Sequence, residues 1–205
     1  PSSYLKYAVD FDGDGKRDIW NSAPDTLASI ANYLVQFGWV KGRGWGVEIA
    51  LPDPNLCVLE GPDKGRKGAE WVGLGLARKD GKPLSEKEAK AEGLLVLPSG
   101  AAGPAFLATP NFYVIKTYNI SDLYTIFIGH VADRIAGGGA GFSTPWPPVD
   151  KMLRSDIGKM QIALQKKSYD VGNADGLPGF KTRRSIGDWQ LKNGVSATCY
   201  PGNEL

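Results

Sequence analysis

The stretch Asp10-Phe11-Asp12-Gly13-Asp14-Gly15-Lys16-Arg17-Asp18-Ile19-Trp20 sets carboxylates at alternate positions around a glycine-rich bend. Such a bend lets several oxygens converge on one point, and glycine supplies the backbone angles it needs. The pattern reads as an EF-hand-like site for a hard cation, Ca²⁺ with Na⁺ as a second candidate. Asp10, Asp12 and Asp14 fall on ligand positions one, three and five, Gly15 on the sixth, and Lys16 offers its backbone carbonyl at the seventh. Position twelve, where the motif wants a bidentate Glu, is Asn21. Asp25 is the nearest free carboxylate that could close the shell. The competing reading is a solvated acidic turn, because Asp-Gly pairs are common turn formers. Four acidic residues in nine, with both glycines in register, favour the cation.

The loop leads into a helix. Ser22 is the expected N-cap and Pro24 sits in the first turn; Leu27, Ile30, Ala31 and Leu34 recur at helical spacing, and Gly38 ends the run. A cation in the loop would tie this helix to the segment before it.

Composition bounds the rest. With 205 residues and 42% hydrophobic content, the chain can bury one large core or two small ones. A net charge of +2 and the lack of a Lys/Arg run argue against a nucleic-acid partner. No apolar run approaches a membrane span, and no signal peptide precedes Pro1. The start at Pro1, without Met, reads as a fragment or a processed product. Cys57 and Cys199 lie in regions that read as different domains, so two free thiols are expected ahead of a disulfide.

From Gly42 to Pro110 the chain is rich in Gly and Pro. Short apolar runs at Val47 to Leu51, Leu56 to Leu59, Trp71 to Leu76, Leu94 to Leu97 and Ala105 to Ala108 predict strands of a small β subdomain, about 43–110. Ser85-Glu86-Lys87-Glu88 has the form of a capping box and predicts a helix ending near Gly93. Trp39, Trp45 and Trp71 read as core residues in preference to sugar platforms. Alternation through Tyr113 to Thr117 predicts a strand, and Ser121 caps a predicted helix from Asp122 to Ile135, apolar nearly all round and therefore buried. His130 lies on that helix without a nucleophile or an orienting carboxylate at informative spacing, so it reads as a packed or rim histidine. Residues 137–150 have the composition of a linker. Beyond it, helices from Asp156 to Lys167 and from Lys181 to Asn193 form a small helical domain, 151–205, near the lower size limit for independent folding.

Two regions resemble known families. Pro1-Ser2-Ser3-Tyr4, the acidic loop, Trp20, Ala31-Asn32-Tyr33, Gly38-Trp39, Pro110-Asn111-Phe112-Tyr113 and Tyr118-Asn119 together resemble the C-terminal half of the catalytic region of the membrane-bound lytic murein transglycosylase B family, over residues 1–136. Met160-Gln161, Leu164, Tyr169-Asp170, Gly172, Asp175-Gly176, Gly179, Thr182, Ile186, Trp189-Gln190 and Gly194 resemble a peptidoglycan-binding domain.

The resemblance implies an α+β chain: part of a lysozyme-like domain with a small β subdomain and a Ca²⁺ loop over 10–25, then a helical wall-binding domain. It implies metal ligands at Asp10, Asp12, Asp14, the Lys16 carbonyl and Asp25, the last offset by one inserted residue. It implies a glycan cleft lined by Tyr33, Tyr113, Tyr118 and Asn119. A tyrosine can offer a ring face to a sugar and a hydroxyl to its polar edge, or simply pack inside the fold.

The implied chemistry is non-hydrolytic cleavage of the β-1,4 bond between N-acetylmuramic acid and N-acetylglucosamine, giving a 1,6-anhydro sugar. One Glu acts as acid and then as base. In the family that Glu lies upstream of Pro-Ser-Ser-Tyr, so this chain is expected to be inactive alone and to lack its partner, the N-terminal half. Peptidoglycan strands and the Gram-negative periplasm follow as partner and compartment, with an outer-membrane anchor left to the absent N-terminus. The alternative is a non-catalytic peptidoglycan-binding protein with a structural calcium loop. A calcium-responsive interaction module ranks last, because only one such loop is present.

Overall fold

A computed structural model describes residues 2–138, 141–148 and 152–202. Residues 139–140 and 149–150 of the expected linker, 137–150, together with Pro1, Lys151 and 203–205, lie outside the described residues.

The first helix α1 (Ser2–Tyr7) is followed by the acidic loop and by α2 (Ala23–Gln36). The expected signals bound α2. Ser22 Oγ accepts from Asp25 N at 3.3 Å, Pro24 lies in the first turn, and Gly38 takes a left-handed φ of 94° where the helix unwinds.

Next come β1 (Gly46–Ala50), β2 (Arg66–Lys67), α3 (Gly68–Gly73), β3 (Ala77–Arg78), α4 (Glu86–Lys90), β4 (Glu92–Val96) and β5 (Ala105–Ala108). The strands form an antiparallel sheet in the order β2-β4-β5-β1-β3. Val47 and Leu95 both pair with Leu107, and Val96 pairs with Phe106.

β4 and β5 are apolar at every central position because both faces are covered. Successive residues alternate between two cores, as the pleat requires. Leu95, Leu97, Ala105 and Leu107 point to one side with Ile49, Trp71, Cys57 and Cys199, while Leu94, Val96, Phe106 and Ala108 point to the other with Trp45, Phe112, Ile115 and Ile126. The second core is covered by α5 (Pro110–Tyr118) and α6 (Asp122–Ile135). The C-terminal domain contributes α7 (Arg154–Lys166) and α8 (Phe180–Lys192), with a core of Met160, Leu164, Val171 and Ile186.

Six expectations are corrected. Cys57 and Cys199 are joined in a disulfide, with Cα atoms 6.0 Å apart. The C-terminal domain is docked onto the β subdomain, so both cysteines fall in one core. Gly187 makes the approach possible: a Cβ there would sit 2.3 Å from Cys199 Sγ and 2.9 Å from Val58 Cγ1. Leu56 to Leu59 is part of a 3₁₀ turn capped by Asp53, and Trp71 lies in α3, where Glu70 bonds back to Lys67 N at 2.7 Å. Tyr113 to Thr117 is helical, because Thr109 caps Asn111 N at 3.1 Å and Pro110 takes the first turn, a start signal stronger than the short alternation. The Ser85 capping box holds, but its helix stops at Lys90 and the chain extends into β4. Finally, α6 buries only Thr125, Ile126 and Gly129, leaving Phe127 and Ile135 exposed.

Trp45 and Trp71 are core residues, donating to Asp133 Oδ2 at 2.7 Å and to Gly93 O at 2.9 Å. His130 sits half-buried, its ring 4.5 Å from that of Phe142.

The disulfide closes a sequence separation of 142 residues and so restricts the unfolded chain strongly. Replacing both cysteines by alanine should lower unfolding free energy by about 2–4 kcal/mol in a urea titration. Equal midpoints for the two proteins would contradict the linkage.

Candidate functional site

The acidic loop is shaped by its own side chains. Asp10 accepts from Gly13 N at 2.7 Å and Gly15 N at 2.9 Å, Asp12 accepts from Asp14 N at 3.3 Å and from Ser22 Oγ at 3.2 Å, and Asp14 accepts from Lys16 N at 2.8 Å. Gly13 and Gly15 take left-handed φ values of 79° and 85°, which a side chain would resist. Asp25 projects from the first turn of α2 and is fully buried, accepting from Phe11 N at 2.8 Å and Asp18 N at 2.9 Å.

Ligand oxygens of Asp10, Asp12 and Asp25 lie within 4.8 Å of one another. Asp14 stands outside that trio. Asp18 and Asn21 are bonded to each other, at 3.0 and 3.2 Å, and Asn21's side chain and main-chain N–H together with Trp20 N hold the Asp18 carboxyl below its ordinary range. Among the described residues no Lys or Arg forms an ion pair with Asp10, Asp12, Asp14 or Asp25. Three converging carboxylates, one fully buried, repel one another unless a cation sits between them. The donor set fits a hard divalent ion.

Beside the loop, α1, α2 and α5 meet through aromatic rings. Tyr33 lies 5.1 Å from Tyr7, 4.5 Å from Phe37 and 5.6 Å from Tyr118, and its hydroxyl donates to Thr117 O at 2.8 Å. The structure thus brings Tyr33 and Tyr118 together and adds Tyr7 and Phe37, which the sequence reading missed. The spacing of Tyr33 and Phe37, four residues apart on one helix, could have signalled the pair. Tyr118 is 55% exposed.

Tyr113 faces a different neighbourhood, beside Phe112 at 5.3 Å and under Lys116 Nζ at 5.5 Å. Burial, reinforced by the Asp122 charge, pushes its phenol well above the usual range. Asn119 serves the turn, accepting from Ser121 N at 3.1 Å.

A buried charge knot joins the two parts of the chain close to α5. Arg183 on α8 donates to Glu60 at 2.8 and 2.5 Å and to Asp122 Oδ2 at 3.0 Å, and Lys116 donates to Asp122 Oδ1 at 2.6 Å. Burial raises the Glu60 carboxyl against the pull of Arg183. Asp122 is also pushed up by burial, but Arg183 and Lys116 outweigh that and hold it below the ordinary range.

Every other described glutamate is exposed or already engaged. Glu48 accepts from Ser143 N and Thr144 N, Glu70 and Glu88 close helix caps, Glu86 pairs with Lys90, and Glu92 is exposed on β4. None is a buried, unpaired carboxyl facing the tyrosine cluster.

Comparison with known proteins places these features. The Transglycosylase SLT domain model matches residues 1–133, and a peptidoglycan binding domain model matches residues 154–205. The membrane-bound lytic murein transglycosylase B of Escherichia coli (strain K12) is 33% identical over 136 residues, covering 66% of this chain and 36% of that protein. SltB3 from Pseudomonas aeruginosa, solved in complex with NAG-anhNAM-pentapeptide, is 41% identical with a TM-score of 0.86 over 99% of this chain and 54% of its own. Escherichia coli Slt35 in complex with calcium is 32% identical with a TM-score of 0.54, covering 66% of this chain and 41% of its own. The chain spans about half the length, or less, of these relatives.

The low carboxyl of Asp122 sets an acid-side expectation. Its folded pKa lies below the unfolded value of about 3.9, so its contribution to stability is complete above about pH 4 and is lost as pH falls through the folded value. Asp63, held down by its bond from Arg184, adds in the same window, whereas Glu60, raised by burial, acts with the opposite sign at higher pH. Urea midpoints should therefore fall between about pH 4 and 2, and Asp122→Asn should flatten that slope; an unchanged slope would contradict the assignment.

Proposed function

Because the chain belongs to the transglycosylase SLT family, we propose that it is the sugar-holding C-terminal part of a periplasmic lytic murein transglycosylase. The parent protein cleaves the β-1,4 bond between N-acetylmuramic acid and N-acetylglucosamine and leaves a 1,6-anhydromuramyl product. In this reading a single Glu upstream of Pro1 protonates the leaving oxygen and then draws the proton from the muramyl 6-hydroxyl. The residues present here bind and orient the glycan. Tyr118 offers an exposed residue for stacking, Tyr33 is held against it by its hydroxyl bond to Thr117 O, and the proposed glycan groove runs along these two rings. The peptidoglycan binding domain keeps the polymer at hand.

One observation carries the proposal most: Tyr118, 55% exposed, stands edge-on to Tyr33 at 5.6 Å, while the described glutamates are exposed or committed to main-chain N–H groups, helix caps and ion pairs. In this reading Tyr33 and Tyr118 hold the sugar, and among the described residues no glutamate is a buried, unpaired carboxyl facing them. The complexes of SltB3 with muropeptides support the substrate class. Exposed Trp20, Leu27 and Phe127 supply apolar surface for the missing half of the catalytic domain to cover. Tyr113 and Asn119 act from behind the groove, through packing and the turn before α6.

The loop is proposed to hold Ca²⁺, with carboxylates from Asp10, Asp12 and Asp25 at its centre and Asp14 and the Lys16 carbonyl completing the set. Its role is structural: bound to Asp25 of α2 and to the loop, the ion fixes α2, and with it Tyr33. The calcium complex of Slt35 supports this choice of ion.

Two outcomes test the reading. The purified chain should sediment with peptidoglycan sacculi yet release no anhydromuropeptides, while the protein carrying its upstream region should release them; product from the chain alone would refute the missing acid. Chelator should lower the melting temperature of the wild type and leave that of Asp12→Ala/Asp14→Ala unmoved. An equal response of both proteins would remove the calcium site.

A further inference from the structure

Arg183 belongs to α8 of the C-terminal domain, yet most of its side-chain bonds leave that domain. Nε and Nη2 form a fork onto Glu60 at 2.8 and 2.5 Å, Nη2 reaches Asp122 at 3.0 Å, and only Nη1 stays at home, on Pro178 O at 2.8 Å. Glu60 is itself pinned by Leu97 N at 2.8 Å, at the end of β4. The guanidinium is therefore referenced to the sheet, and it holds Asp122 at a fixed height above it.

Asp122 stands in the first turn of α6. Its other oxygen takes Lys116 of α5, and the turn between the two helices is closed by Ser121 N donating to Asn119 at 3.1 Å. What Arg183 fixes, then, is the corner between α5 and α6. The last turn of α5 carries Thr117, whose carbonyl receives the Tyr33 hydroxyl, and Tyr118, whose ring meets Tyr33 at 5.6 Å.

We propose, resting on the glycan-groove reading above, that Arg183 is a positioning residue for that groove: a guanidinium supplied by the wall-binding domain sets the α5–α6 corner and hence the placement of Tyr118 against Tyr33. The C-terminal domain is then a structural part of the sugar-binding face as well as an anchor. The chemistry calls for arginine. A planar fork satisfies Glu60 bidentately and still presents an N–H to Asp122, which an ammonium on a flexible stem cannot reproduce in the same geometry. Without it, Glu60 and Asp122 are two buried carboxylates near each other with only Lys116 to share, and the corner must move to separate them.

The effect can be separated from simple loss of the domain, because the Cys57–Cys199 disulfide, the Gly187 contact and the Arg184–Asp63 pair at 2.8 Å hold α8 independently. The test uses the full chain with its disulfide intact and 3-fluorotyrosine incorporated. Arg183→Met should shift the ¹⁹F resonances of Tyr33 and Tyr118, leave that of Tyr169 in place, and raise the Kd for a peptide-free N-acetylglucosamine tetrasaccharide about tenfold. Glu60→Gln added to Arg183→Met removes the stranded charge and should return both resonances and most of the affinity. Unchanged Tyr33 and Tyr118 resonances in Arg183→Met would overturn the proposal. A wild-type chain that ignores the tetrasaccharide would count against the groove reading, and the resonances would still decide the coupling.

Discussion

A guanidinium with almost no access to water, shared by two carboxylates from distant parts of the chain, is the constraint around which the molecule closes. Glu60 and Arg183 are 1% and 4% exposed, and neither charge is tolerable there without the other. Removing one partner strands the rest, so the C-terminal domain, the β subdomain and the α5–α6 corner must adopt their relative positions together. The disulfide a short distance along the same interface makes that arrangement covalent. The sheet supplies the reference frame: β4 and β5 are buried on both faces, one face receiving the C-terminal domain's Ala197 and Cys199 and the other receiving α5 and α6.

From that frame the functional features follow by short steps. The acidic loop orders the entry to α2 through Asp25, whose buried carboxylate binds main-chain N–H groups on both sides of the bend. α2 then delivers Tyr33, and α5, held at its end by Asp122 and Lys116, delivers Tyr118. Two charge devices, one suited to a cation and one built on a guanidinium, thus bracket the Tyr33–Tyr118 ring pair. Membership of the transglycosylase SLT family makes that ring pair the candidate sugar-binding surface, and the described glutamates are exposed or committed elsewhere.

Much of this was legible in the sequence wherever the signal was local. Ser22, Pro24 and Gly38 marked α2, the Ser85 capping box marked α4, Ser121 marked α6, and the apolar runs at Leu94 and Ala105 marked the doubly buried strands. The acidic loop was readable because its carboxylates and glycines are sequence neighbours. Short apolar runs misled where a cap decided otherwise, as at Trp71 in α3 and at Tyr113 behind the Thr109-Pro110 start. Pairings across the chain left no trace at all. Glu60 and Arg183 are 123 residues apart, Cys57 and Cys199 are 142 apart, and neither member of either pair sits in a motif that points to the other. The same holds for Tyr7, brought to Tyr33 only by the fold of the loop between them.

The central claim is that this chain presents one glycan-binding groove, formed by Tyr33 and Tyr118 and set from both ends by buried charge. A crystal of the chain soaked with a peptide-free glycan fragment tests it directly. The account predicts sugar density stacked on Tyr118 and bordering Tyr33, with the Arg183 knot intact beneath the α5–α6 corner. Sugar bound only elsewhere, with Tyr118 folded away from Tyr33, would contradict it.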